Sequence, residues 1–112
     1  MTAKSNRCPD SEFRAKVSHL RTVAPPPKGC RIEARRVPPS EIEGCSGTCS
    51  KDGRVFTVKI RNDLSEQETE DTLLHEWSHM LAWRPYHPLS GDHGPDWGVW
   101  YAEVYRAFYG IA

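Results

Sequence analysis

The chain has 112 residues, enough for one compact unit with a modest core and too few for two ordinary domains. Its 38% hydrophobic and 27% charged residues exclude a disordered chain, and no apolar run approaches the roughly 20 residues of a membrane helix. Formal charge is zero but unevenly spread: residues 1–40 carry nine Lys/Arg against three Asp/Glu, and the remainder six against twelve. Nucleic acid as a partner is left open, although the net charge does not favour it. The first seven residues lack the apolar segment of a secretion signal, so the expectation is a cytoplasmic protein with no membrane partner. Reduced thiols are the corresponding expectation for Cys8, Cys30, Cys45 and Cys49. Cys45 and Cys49, with Gly44 and Gly47 around them, resemble half of a zinc knuckle, but Cys8 and Cys30 stand alone, so a second zinc site is the less favoured reading.

Taken in chain order, Pro9 to Val23 is expected to be helical, with Phe13, Val17 and Leu20 on one face and Asp10 or Ser11 as its cap. The run Ala24-Pro25-Pro26-Pro27 ends it. Cys30 to Val37 alternates well enough for a strand. Ser40 to Gly53 has the Gly, Ser and acidic content of a loop or irregular hairpin, with a third strand presumed between residues 43 and 51. Lys51-Asp52-Gly53-Arg54 has the chemistry of a tight turn. The clearest strand is 55–61, where Phe56, Val58 and Ile60 share one side.

A second helix starts at Ser65, whose spacing from Glu68 is that of a capping box. Glu66, Glu68, Glu70 and Asp71 place negative charge at the positive end of the helix dipole. The helix runs through Leu73, Leu74, Trp77 and Leu81 and stops near Trp83, because Arg84 precedes Pro85. After a loop to Gly94, Pro95 opens a last helix, with Asp92 or His93 near its cap. The aromatic face of that helix, from Trp97 to Phe108, is expected to pack between the two helices, and Trp77 and Trp83 are expected in the core. The fold class is therefore α+β: an N-terminal helix, a short three-stranded sheet, and two further helices in a single domain over 1–112.

His75-Glu76-Trp77-Ser78-His79 lies inside the second helix. A spacing of four puts both imidazoles one turn apart on one face, close enough to share a metal ion, and Glu76 leans aside without ligating. This is the H-E-x-x-H arrangement of zinc peptidases. Five His and nine Glu in random order would give about 0.02 such matches per chain, and its position on an independently argued helix adds weight. A third ligand is needed, with a position left open for water. His93 is the first candidate, ahead of Glu103 and His87, whereas His19 is expected to be a solvated ring. An ion held by neutral imidazoles keeps its double charge and acidifies a coordinated water, whose proton Glu76 is placed to take and pass to the departing amine. Tyr86, Tyr101, Tyr105 and His87 are eligible as a second donor to the oxyanion, and Asp92 and Asp96 as partners that orient the ligating rings.

His75-Glu76-Trp77-Ser78-His79 followed by His93-Gly94-Pro95-Asp96-Trp97 resembles the SprT-like zinc metallopeptidases, the Spartan-related zincins. The resemblance covers roughly residues 55–110. It implies Zn2+ on His75, His79 and His93, Glu76 as the catalytic base, and a protein or peptide substrate. It also implies that strand 55–60 is a sheet edge on which an extended substrate pairs. Trp97-Gly98 and Tyr101-Ala102-Glu103 are similar to the small members encoded by bacteriophages, which would place the protein in a host cytoplasm. Larger members continue into a zinc ribbon, and the expectation here is a catalytic core without that module.

Two other readings compete. Glu43-Gly44-Cys45 is similar to the segment by which peptide deformylases supply a cysteine ligand, making Cys45 the third ligand. That family's G-x-G-x-A-A-x-Q element is missing, however, and Ser78 stands where it shows Asp. Alternatively the zinc is structural in a binding module without catalysis, and Arg31, Arg35 and Arg36 dock a partner or nucleic acid; a structural site would have four protein ligands.

Overall fold

A computed structural model of the protein describes residues 7–83 and 93–111. The observed order is α1 (Asp10–Val23), β1 (Arg31–Val37), a short 3-10 turn (Pro39–Ile42), β2 (Gly47–Asp52), β3 (Val55–Arg61), α2 (Glu66–Leu81) and α3 (Pro95–Tyr109). Three helices and one three-stranded mixed sheet make the fold α+β, as expected.

Phe13, Val17 and Leu20 are the buried stripe of α1. Neither Asp10 nor Ser11 caps this helix. Pro9 does so with extended backbone and no side-chain bond, its carbonyl accepting from the Phe13 N–H at 3.1 Å. Asp10 is engaged elsewhere, by the Arg36 guanidinium, which also donates to the Cys8 carbonyl at 2.6 Å and lies over the Phe13 ring. Arg36 is therefore a tie between β1 and α1, and is not the free docking group that the binding-module reading requires. His19 is likewise not simply solvated. Its Nε2 lies 2.8 Å from the Phe108 carbonyl, and its ring meets Phe108 edge-on, joining α1 to the end of α3.

The sheet order is β1-β3-β2, with β1 parallel to β3 (Ile32 opposite Phe56) and β2 antiparallel (Cys49 opposite Val58). Residues 55–60 are thus the central strand, and the expectation of a substrate-pairing edge there is overturned. The physical reason lies in the strand itself. Phe56, Val58 and Ile60 are fully buried, and the residues between them are half-buried, so both faces and both edges are covered. Alternation told which side faces the core but not which strands lie alongside. The presumed third strand exists at 47–52, joined to β3 by a two-residue turn in which Gly53 has φ +60°. The 3-10 turn, which buries Ile42, is an element that loop-like composition concealed.

α2 is set by its cap and its core face. Ser65 Oγ accepts from the Glu68 N–H at 3.1 Å, and the Glu68 carboxylate accepts from the Ser65 N–H at 3.0 Å. Leu73, Leu74, Trp77 and Met80 are completely buried against β3 and α1. Trp77 meets the Trp expectation, and its Nε1–H, which has to be satisfied in the core, donates to the Ala24 carbonyl at 2.7 Å. Trp83 is half-buried and packs on the same cluster, edge-on to Phe56.

α3 opens at Pro95 as expected, with Gly94 as its cap, His93 just before it and no side chain capping it; the departure lies in its outer face. Its aromatic face is not mainly core: Val104 is its sole buried residue, and Trp100, Tyr105 and Tyr109 are exposed. The row Trp97, Tyr101, Tyr105, Tyr109 runs along the rim of the seam with α2, which Trp97 and Tyr109 reach at His75 and Glu70 while the row stays partly or fully exposed. Tyr101 and Phe108 pack against the core where they flank Val104. No helix among the described residues is long and apolar enough to cross a membrane.

Candidate metal centre

His75 and His79 come from adjacent turns of α2, and His93 stands just before the first turn of α3. Their Nε2 atoms converge: His93 to His75 is 2.9 Å and His93 to His79 is 3.1 Å. Among the described residues this is the one group of three or more His, Cys, Asp or Glu whose ligand atoms lie mutually within 4.8 Å. Three neutral imidazoles cannot satisfy one another through three converging nitrogens, because each ring has a single N–H to give. One cation accepting three lone pairs satisfies all of them. An all-imidazole donor set suits zinc, and suits copper and nickel as well. The residues therefore fit a divalent ion.

The other ligand candidates are not brought in. Glu103 is exposed, pairs with Arg106 at 3.4 Å, and lines a separate apolar groove of about 550 Å3 with Trp83, Trp100 and Val104. His87, Tyr86 and Asp92 lie outside the described residues. Cys45 borders the cleft but is not in the converging group; its thiol lies 3.6 Å from the Ile42 carbonyl. That separates the site from the deformylase pattern, and Cys45 with Cys49 forms no second metal cluster among the described residues. Asp96 occupies the exposed first turn of α3.

Trp97, expected as core packing, is a site residue instead. Its ring centroid is 5.0, 5.7 and 4.7 Å from those of His75, His79 and His93, and its Nε1–H donates to the His75 carbonyl at 3.4 Å. It braces the whole trio and ties α3 to α2. Its place four residues after His93, one helical turn on, was the signal available in the sequence.

The histidines open onto a cleft whose opposite wall is the stretch from Cys45 into β2. Two cavities, of about 510 and 400 Å3, flank the trio and share Cys45, Gly47, His75 and Glu76. Gly47 permits the close approach of that wall: a Cβ there would sit 2.7 Å from Thr72 Cγ2 and 3.0 Å from the Lys59 carbonyl oxygen. Of the oxyanion candidates, Tyr101 lines the cleft beside His75 and Glu76, its ring stacked on Trp97 at 4.9 Å. Tyr105 is a turn farther along α3 and lines neither cavity.

Glu76 is buried at 7% exposure, and that desolvation pushes its carboxyl up to about 7. Burial, and after it the neighbouring His93, holds the His75 imidazole below its usual range. Both shifts come first from burial of these two side chains, whereas His93 is exposed. Burial first, and Glu76 second, push the Cys49 thiol up to about 12, so Cys49 is an inert wall of the cleft and not a thiolate.

The sequence model of the SprT-like family matches residues 27–112. No curated protein gives a significant match, and neither does any solved structure. The match begins after α1, although Phe13, Val17 and Leu20 of that helix belong to the same core as β3 and α2.

Proposed function

The chain belongs to the SprT-like family, and on that premise we propose that it is a zinc-dependent metallopeptidase acting as a single domain on protein or peptide substrates. The observation that carries the reading is the convergence of three imidazole nitrogens at the mouth of a cleft that also holds one buried carboxylate, Glu76. His75, His79 and His93 would hold the ion, which when bound supplies a Lewis acid and an acidified water. Glu76, next to His75 and desolvated, takes a proton from the attacking water and returns it to the leaving amine. Tyr101, which lines the cleft beside His75 and Glu76, is the described candidate that would donate to the developing oxyanion.

The substrate track follows from the sheet. β2 is an edge strand whose beginning walls the cleft, so its free backbone N–H and C=O groups offer pairing to an extended chain laid across the histidines. This is the role expected of residues 55–60, moved one strand outward.

The test is Glu76→Gln, which keeps shape and volume while removing the base. The expected outcome is unchanged metal content with hydrolysis of unfolded polypeptide reduced by about 10²-fold or more. Hydrolysis at the original rate by the metal-loaded variant would refute the assignment.

A further inference from the structure

The half of the cleft toward the start of α2 differs from the half around His79. It is a cavity of about 510 Å3, and its walls carry two acids, Asp71 and Glu76, with no lysine or arginine among the described residues. The acids of the first half of α2 differ in what they already hold. Glu66 and Glu70 share the Lys16 ammonium at 3.4 and 2.9 Å, and Glu70 also accepts from the Tyr109 hydroxyl. Glu68 is spent in the capping box. Asp71 is exposed, accepts only from the Gln67 side-chain amide at 2.9 Å, and has no cationic partner among the described residues. Tyr101 lines the same cavity as Asp71, and burial first, with the Asp71 charge second, pushes that phenol up. Trp97 holds the Tyr101 ring in place by stacking. A carboxylate with no counter-ion among the described residues, lining one cavity with a fixed aromatic ring, is the combination that receives an ammonium or guanidinium, through an ion pair and a cation–π contact.

We propose that Asp71 and Tyr101 form a subsite for a lysine or arginine side chain of the substrate, on the α2 N-terminal side of the bond to be cleaved. The inference rests on the peptidase reading and adds a substrate class to it. The cavity shares Cys45, Gly47, His75 and Glu76 with the metal half of the cleft, so a chain laid along β2 over the histidines passes this pair.

The test uses matched fluorogenic peptides that differ only by lysine or norleucine at successive positions around the cleavage site. The zinc-loaded protein is expected to favour lysine at one position by about five- to tenfold in kcat/KM, the size of one exposed ion pair plus one cation–π contact. In Asp71→Asn the lysine-to-norleucine ratio should fall to within about twofold, and in Asp71→Lys it should drop below one. A ratio in Asp71→Asn equal to that of the unaltered protein, or no lysine preference at any position, overturns the subsite. Binding of the same labelled peptides to Glu76→Gln, followed by fluorescence polarisation, reads recognition without turnover. A lysine preference there that depends on Asp71, with no hydrolysis by the unaltered protein, would sustain the subsite and sink the peptidase reading. Glu76-dependent hydrolysis blind to lysine would do the reverse.

Discussion

α2 and α3 meet at the histidine cluster, yet they are held in the fold by different means. α2 has a complete capping box and eight buried residues, among them Leu73, Leu74, Trp77 and Met80 at the centre of the core. α3 has no side-chain cap and a single buried residue, Val104, while Val99, Trp100, Tyr105 and Tyr109 are exposed. α3 is fixed by Val104, with Tyr101 and Phe108 packed beside it, and by a few specific ties: Trp97 to His75, Tyr109 to Glu70, and His19 to the Phe108 carbonyl. The core thus sets two of the three imidazoles without any metal. The third comes from the entry to a helix with little core of its own. The lesson is that the stability of the domain and the assembly of the metal site rest on different tryptophans.

That contrast is open to direct attack. The largest effect is expected at Trp77. Replacing it with Ala removes a fully buried indole and leaves the Ala24 carbonyl without its donor, at a cost of about 3–5 kcal/mol measured by urea unfolding. Trp97→Ala should cost only about 1–2 kcal/mol, since the ring is half-exposed, but should weaken zinc binding about tenfold or more by unseating the brace on the three rings. Equal losses of stability from the two variants, or zinc affinity unmoved by Trp97→Ala, would break the division. A subtler difference is expected when zinc is removed by a chelator and amide hydrogen exchange is followed. Amides of α3 should exchange about tenfold faster or more, while those around Leu73, Leu74 and Trp77 keep their protection. Uniform loss of protection in both helices would show that they form one cooperative unit and erase the contrast.

Much of the better-anchored region was legible from residue order. The spacing of Ser65 and Glu68, the apolar positions of α2, and the two histidines four apart are all local, and local pattern determines them. β3 was visible for the same reason. What escaped depends on partners far away in sequence. Alternation in 55–61 specifies an inward face but not whether neighbours pair on both edges, so it could not correct the edge position that the resemblance implied. Gly47 sits in a Gly- and Ser-rich stretch and passes for a loop residue, and only the packed Thr72 and Lys59 reveal why a side chain is excluded. Asp10 has the chemistry of a cap, but Arg36, twenty-six residues later, claims its carboxylate. In α3 the aromatic residues outnumber the positions its narrow seam can bury, so composition alone overstated the core and hid Trp97 within it. His93 was legible as the first of three candidates and through the family resemblance; its convergence with His75 and His79 is a fact of three dimensions.

The central claim is that three imidazoles, and no thiolate, hold a single ion. X-ray absorption at the zinc edge of the loaded protein tests it most directly. The account predicts one zinc per chain with nitrogen and oxygen scatterers at about 2.0–2.1 Å, the pattern of three imidazoles carrying ring multiple scattering. A sulfur shell at about 2.3 Å, or a chain that retains no zinc, would contradict it.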